Sequence, residues 1–480
     1  MSTEGMTYDV VVVGHGISGL STAIAAHEAG AEVVVLEKSP RETRGGHTRH
    51  AGGLFRFTID DPASVERDLD LDATPERYTA GDFWQDFVDV SGGRADRDLV
   101  DVLLERSTDA IRWLDGHGVD FHVVDRSEEP GFGTTVGTVQ ADGEGEGVVE
   151  ALSDRVEDLG IDVRYRTEMR EIRTDDDRAV TGVEAVGDEG KVVFEADSVV
   201  ICAGSYVANS EKRTRYFGRE GEAYVVRGSR YNTGEAIDAA IDAGARPSGE
   251  WGGAHQVMND AAAPRVEGGR ARINGYQYGV ILNRRGERFV DEGEDFLLKT
   301  YAKFGQAVYD QPDQEAYVVF DASIDDYVVS QIDSEPVEAS TLERLLDELD
   351  VDTSAALETL EAFNGAADSE TEFDPHELDG KSADLPLPKS NWAVPLDDPP
   401  YKCFPVKSAI TFAFGGLDIT TDAEVLDTRG ERIPGLWAVG NSTAAFFYGN
   451  YPGGSALTRG ATYGRRAGEN AAAHALAGRE

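Results

Sequence analysis

The feature that most constrains this chain is Gly14-His15-Gly16-Ile17-Ser18-Gly19, set between an apolar strand at residues 8–13 and a small-residue helix at residues 20–30. A second strand follows at residues 32–36 and ends in Glu37. The first glycine permits a tight turn, the second lets backbone approach a pyrophosphate, and the third lets the helix pack closely on the strand. The helix start at Ile17 and Ser18 offers N–H groups and a partial positive charge to phosphates. Glu37, with Lys38 beside it, stands where a carboxylate accepts hydrogen bonds from a ribose diol. Alone, the glycine pattern also suits a plain tight turn. Strand, turn, helix, strand and acid in that order predict a dinucleotide-binding βαβ unit, without separating NAD from FAD.

The far end of the chain makes that separation. The run Ile433-Pro434-Gly435-Leu436-Trp437-Ala438-Val439-Gly440-Asn441 resembles the strand that closes FAD folds. Gly453-Gly454-Ser455-Ala456-Leu457 then opens a helix whose positive end suits the flavin's O2 edge. A further buried strand ends at Ala203-Gly204, and a helix is opened by Asn232-Thr233-Gly234. Residues 44–53 form a second glycine-rich loop, carrying Gly45, Gly46, His47, Thr48, Gly52 and Gly53.

Between these landmarks the chain reads as helices over residues 64–119 and 148–159, then three antiparallel strands over residues 163–194. Residues 249–408 change character, with loops, Tyr-rich strands and acidic helices. The expectation is an α/β fold: an FAD-binding Rossmann-like domain with a parallel sheet and a β-meander (residues 1–248 and 409–480), carrying an inserted α+β capping domain (residues 249–408). The 480-residue length suits two or three compact units.

Acidic residues outnumber basic ones 90 to 45, for a net charge of −45, and only nine of the bases are lysine. Such a surface suits solubility in concentrated salt, a halophilic trait, or else a cationic partner, and argues against nucleic acid or an anionic membrane. No run reaches the roughly 20 apolar residues that span a bilayer. No secretory leader opens the chain, so a cytoplasmic protein without membrane insertion is expected. Cys202 and Cys403 are the only cysteines, too few for an iron–sulfur cluster, and no haem motif occurs. Electrons therefore leave for a separate acceptor, a quinone or an iron–sulfur or haem protein.

Several blocks carry a family resemblance: residues 39–50, Phe83-Trp84-Gln85-Asp86, residues 227–234, and above all residues 283–296. They resemble the flavoprotein family of fumarate reductases, succinate dehydrogenases and ketosteroid dehydrogenases, and within it the members that dehydrogenate tricarballylate. The resemblance implies a cap closing over a small carboxylate, hydride passing between a C–C bond and the flavin, and a base taking the neighbouring proton. It places His255 where the family binds a substrate carboxylate, although a structural histidine is the alternative. Arg288 matches the Arg of the family's Gly-x-Arg-Phe segment, or else pairs with Asp291 or Glu292. Arg227 and Arg230 suit carboxylate binding or an ordinary surface role. Lys299 and Tyr278 are weaker candidates.

The departures are informative. Where fumarate reductases carry a His and an Arg at the substrate, this chain has Thr411 and Tyr451. Their relay Glu and Arg align with Arg272 and Gly275, and their acid Arg with Phe296. Tyr451-Pro452-Gly453 is instead similar to the ketosteroid enzymes. A steroid- or enone-type dehydrogenase, a corrin-synthesis flavoprotein, and a flavin-fold protein without redox work are the alternatives. His47 stands where covalent members tether FAD; noncovalent binding is the expectation.

Overall fold

Val10–Val13, Val33–Leu36 and Ser198–Ile201 are fully buried four-residue strands, as runs covered on both sheet faces must be. In the computed structural model, which describes residues 6–124, 130, 136–267 and 271–477, they form the centre of a six-stranded sheet. Its order is Glu424–Leu426, Arg432–Ala438, Ser198–Ile201, Val10–Val13, Val33–Leu36 and Asp162–Arg164. All pairings are parallel except the first. The Asp162–Arg164 strand is a correction, because the chain from residue 163 was expected to be wholly antiparallel. Its side chains are only half-buried, so it is an edge strand and lacks the apolar signature of its neighbours. The antiparallel meander proper is Glu168–Thr174, Val180–Gly187 and Gly190–Glu195.

The Ile17–Glu28 helix packs along the Ser455–Ala477 helix through a seam of small residues. A Cβ on Gly460, Gly464 or Gly468 would come within 2.9, 2.8 and 2.4 Å of Ser18 Oγ, Ser18 O and Thr22 O. Spacing of four puts all three on one helix face, and their lack of side chains lets the two backbones touch.

Two long strands, Pro247–Asp260 and Tyr401–Leu417, pair antiparallel and form the stem of the inserted region. They run across the expected boundaries at residues 249 and 408. Beyond them the cap sheet separates two cores by strict alternation. Ile281, Val318, Phe320, Phe404 and Val406 face one core; Val280, Leu282, Tyr317, Val319 and Cys403 face the other. The Leu297–Tyr309 helix lies against the stem. A Cβ on Gly305 would sit 2.4 Å from the Val257 backbone, so that glycine lets helix and strand approach. Among the described residues no helix is long and apolar enough to cross a membrane, and no cluster of His, Cys, Asp or Glu is placed to hold a metal ion.

Candidate active site

A cavity of about 590 Å³ runs from the carboxyl ends of the parallel strands to the stem of the cap. Gly14, Gly16, Ile17, Ser18, Glu37 and Lys38 line its first end. Gly14 has φ +111°, and a Cβ there would meet Cys202 O at 2.5 Å. The second glycine is the open one: a Cβ on Gly16 would find nothing nearer than Thr48 Oγ1 at 3.1 Å. Glu37 accepts from His15 N–H at 2.9 Å and Ser39 N–H at 2.7 Å, which fixes its carboxylate although burial pushes its pKa up. Lys38 pairs with Glu235 at 3.0 Å and Glu168 at 3.5 Å.

The middle of the cavity is walled by Gly46, His47, Thr48, Gly52 and Gly53 on one side, with Ala203, Gly204, Gly234, Gly440, Asn441, Ala456 and Leu457 on others. Three expected contact residues lie behind the wall. Gly19 is packed so closely that a Cβ would meet Gly14 O at 1.9 Å. Gly45 abuts the Val149 side chain. Ser455 donates to Pro452 O at 2.6 Å and closes the turn into its helix. His47 is half-buried beneath Gly228, with Asn232 Nδ2 3.0 Å from its Nδ1. Burial first, then the charges of His50 and Arg227, hold His47 down to about 3.

The cap end is built by a β-bulge. In the stem, His255 faces Phe412 while Gln256 faces Ile410, which leaves Thr411 as the extra residue. A bulge re-aims side chains at a strand pair, and here both His255 and Thr411 line the cavity. Thr411 Oγ1 accepts from Arg227 Nη1 at 3.2 Å. The buried His255 ring lies edge-on to Tyr451 at 4.6 Å and to Tyr301 at 5.5 Å. Its Nδ1 has no partner, and burial, reinforced by Arg227, holds its pKa well below the usual value. Burial pushes the Tyr451 phenol well above its ordinary value, and the Tyr301 hydroxyl beside it acts in the same direction. Arg272 lies over the Tyr301 ring at 5.6 Å. Arg56 donates from Nε to Gly453 O at 2.7 Å and holds the turn that follows Tyr451.

Other expected residues fall elsewhere. Arg288 is not at the cavity: its guanidinium is 4% exposed and ion-paired with the fully buried Glu292, and it donates to Leu387 O at 2.8 Å. Arg230 forms an exposed two-pronged pair with Glu267 at 2.8 and 2.9 Å. Tyr278 is buried in the cap core, donating to Pro375 O at 2.7 Å. Lys299 reaches the cavity rim, but its largely exposed ammonium pairs with Asp295 at 3.0 Å. Phe296 packs against Trp392 within the cap. Tyr301 was missed by sequence reasoning, and Arg272 was noticed only as a departure. Both come from the cap without a local motif; a tyrosine eight residues before a helix end carries no sequence signal of its own.

A parallel sheet with a glycine-turn pocket at its carboxyl edge, joined to a second wall by a cap, defines a dinucleotide-dependent oxidoreductase. The match to the FAD binding domain model over residues 9–457 is specific, and this chain belongs to that family. It is similar to a cytochrome-type fumarate reductase of Shewanella frigidimarina, 29% identical over 97% of this chain and 77% of the relative. Its fold is similar to the open conformation of a flavocytochrome c3 fumarate reductase, with TM-score 0.76 and 24% identity over 98% of this chain and 79% of that one. It is also similar in fold to 3-ketosteroid delta1-dehydrogenase from Sterolibacterium denitrificans, with TM-score 0.77 and 20% identity over 97% and 99% of the two chains. The protein is an FAD-dependent oxidoreductase acting on CH–CH groups. The open second glycine, the fixed Glu37 and the cavity's reach to the cap fit that cofactor.

Proposed function

We propose that the protein oxidises or reduces a C–C bond next to a carboxylate in a small polycarboxylate, with tricarballylate the first compound to test. One observation supports this above others: Arg227, Arg272 and His255 converge at the cap end of the cavity beside the Tyr451–Tyr301 pair. Arginine suits a planar carboxylate through its fork of donors. His255, held neutral, adds an N–H donor without adding charge. The wall that includes Gly14, Gly16, Glu37 and Gly53 would hold FAD, which when bound would supply or accept the hydride. The Tyr451 hydroxyl, protonated across the ordinary pH range, hands a proton to the neighbouring carbon in reduction. In the reverse direction the phenol first gives its own proton to solvent, the Arg227 charge favouring the phenolate, which then takes the proton from carbon.

Electrons enter or leave through a separate quinone, iron–sulfur or haem partner, since the chain's two cysteines are both buried and unpaired. A second reading, an enone substrate, is favoured by the Tyr451–Tyr301 hydroxyls, which suit a ketone oxygen, and by the apolar Phe412 and Leu298 walls. Anaerobic flavin spectroscopy separates the two. Tricarballylate and succinate should bleach the oxidised protein, or fumarate reoxidise the reduced one, while a 3-ketosteroid does neither. Response to the steroid alone would replace the first reading by the second.

A further inference from the structure

Arg459 lies one turn into the Ser455–Ala477 helix and is 2% exposed. Its guanidinium lies over the rings of Phe446 and Phe447 at 4.9 and 4.5 Å. One N–H reaches Asn441 Oδ1 at 2.6 Å, and Nε has no partner. Among the described residues no carboxylate pairs with it; burial draws its pKa down to about 9, with only Tyr463 acting the other way. The contrast with Arg288, whose side chain is also largely covered but matched by Glu292, is direct. A buried cation without a counter-charge is costly, so something outside the described side chains must offset it.

The bond to Asn441 shows where. Arginine only donates, so Asn441 must turn its oxygen toward Arg459 and its NH2 group away. Asn441 lines the FAD cavity, and no protein acceptor among the described residues takes its amide N–H groups. We propose that Arg459 is a positioning residue for FAD: it fixes Asn441 as a donor facing the cofactor, and an anionic oxygen of the bound cofactor balances its charge. Two cofactor groups carry that chemistry. The pyrophosphate is anionic in both redox states; the flavin ring becomes anionic only when reduced.

The test uses the full-length protein, stripped of and reloaded with FAD, as wild type, Arg459→Met, Arg459→Lys and Asn441→Asp. Melting temperature is read with and without FAD, FAD affinity by flavin fluorescence, and the midpoint potential by redox titration. Arg459→Met should leave the apoprotein as stable as wild type or more so, yet bind FAD at least about tenfold more weakly, shrinking the thermal gain on loading. Asn441→Asp pairs with Arg459 in place and turns an acceptor toward the cofactor. It should raise apoprotein stability and weaken FAD binding together, and it decides the matter alone if Arg459→Met does not fold. Arg459→Lys should recover part of the affinity. If the pyrophosphate is the balancing group, oxidised and reduced FAD weaken equally and the potential stays. If the reduced ring is, the potential falls by about 30 mV for each tenfold preference lost. Unchanged FAD affinity and potential in Asn441→Asp, or in a folded Arg459→Met, would overturn the proposal.

Discussion

Tyr451 lies edge-on to His255 at 4.6 Å in the wall of the cavity, and the residues around it decide what can move a proton there. Replacing either Tyr451 or Tyr301 by Phe keeps the ring packing and removes only a hydroxyl. Tyr451→Phe should lower kcat by roughly 10²–10⁴-fold, the usual worth of a general acid–base group, while the bound flavin spectrum stays unchanged. Tyr301→Phe should act less strongly, through its neighbour. A Tyr451→Phe enzyme turning over at wild-type rate would remove this residue from the chemistry. Histidines give a second test. Burial holds His15 and His47 at about 3, against 6.5 in the unfolded chain. The unfolded state therefore takes up protons first as pH falls. Apoprotein stability is full above 6.5 and is lost between 6.5 and about 3, by up to about 1.4 kcal/mol per pH unit for each group. His47→Gln should flatten that slope in urea unfolding; an unaltered slope would show that His47 does not contribute to it. Legibility at this scale followed locality. Gly14, Gly16 and Glu37 could be read because their spacing is itself the geometry. Tyr301 could not, because its neighbours Tyr451 and His255 are distant in the chain.

Helices and strands account for the misplaced arginine. Arg288 was expected at the chemistry, yet here it closes an i, i+4 pair with Glu292, whose Oε1 also accepts from Ile281 N–H at 2.9 Å. Arg288→Met removes the guanidinium paired with that buried carboxylate and leaves it only the longer-range charge of the buried Lys389 ammonium. It should cost about 3–5 kcal/mol of cap stability and leave FAD affinity unchanged; lost turnover with unaltered urea unfolding would return Arg288 to the active site. The glycine seam is equally specific. Gly468→Val should lose at least about 1–3 kcal/mol through overpacking against Thr22, visible as a lower melting temperature and weaker FAD retention. Strand alternation in the cap was readable in principle, but both faces are buried, so its strands look uniformly apolar and the two cores merge in the sequence. The half-buried Asp162–Arg164 edge strand failed for the opposite reason, having too little apolar content to announce itself.

For the molecule as a whole, a net charge of −45 sets the solvent it suits. Its self-repulsion is long-ranged in dilute buffer, where the screening length is about 30 Å at 0.01 M, and short-ranged near 1 M, where it is about 3 Å. Melting temperature should therefore rise steadily with potassium chloride over that range; a flat profile would mean that local ion pairs already absorb the charge. Domain organisation was legible because the glycine turn and the closing strand frame the chain at both ends. The exact joints were not, since the Pro247–Asp260 and Tyr401–Leu417 strands run continuously through them. That framing also has a consequence during synthesis. The Val10–Val13 strand and Ile17–Glu28 helix leave the ribosome early, but their neighbours in the finished domain, the Arg432–Ala438 strand and Ser455–Ala477 helix, emerge more than 400 residues later. Until then the glycine seam has no partner and the cofactor cradle lacks its far wall. The cap, whose two cores use residues 258–406 only, can condense first, so the nascent chain would acquire its lid before the vessel that the lid covers.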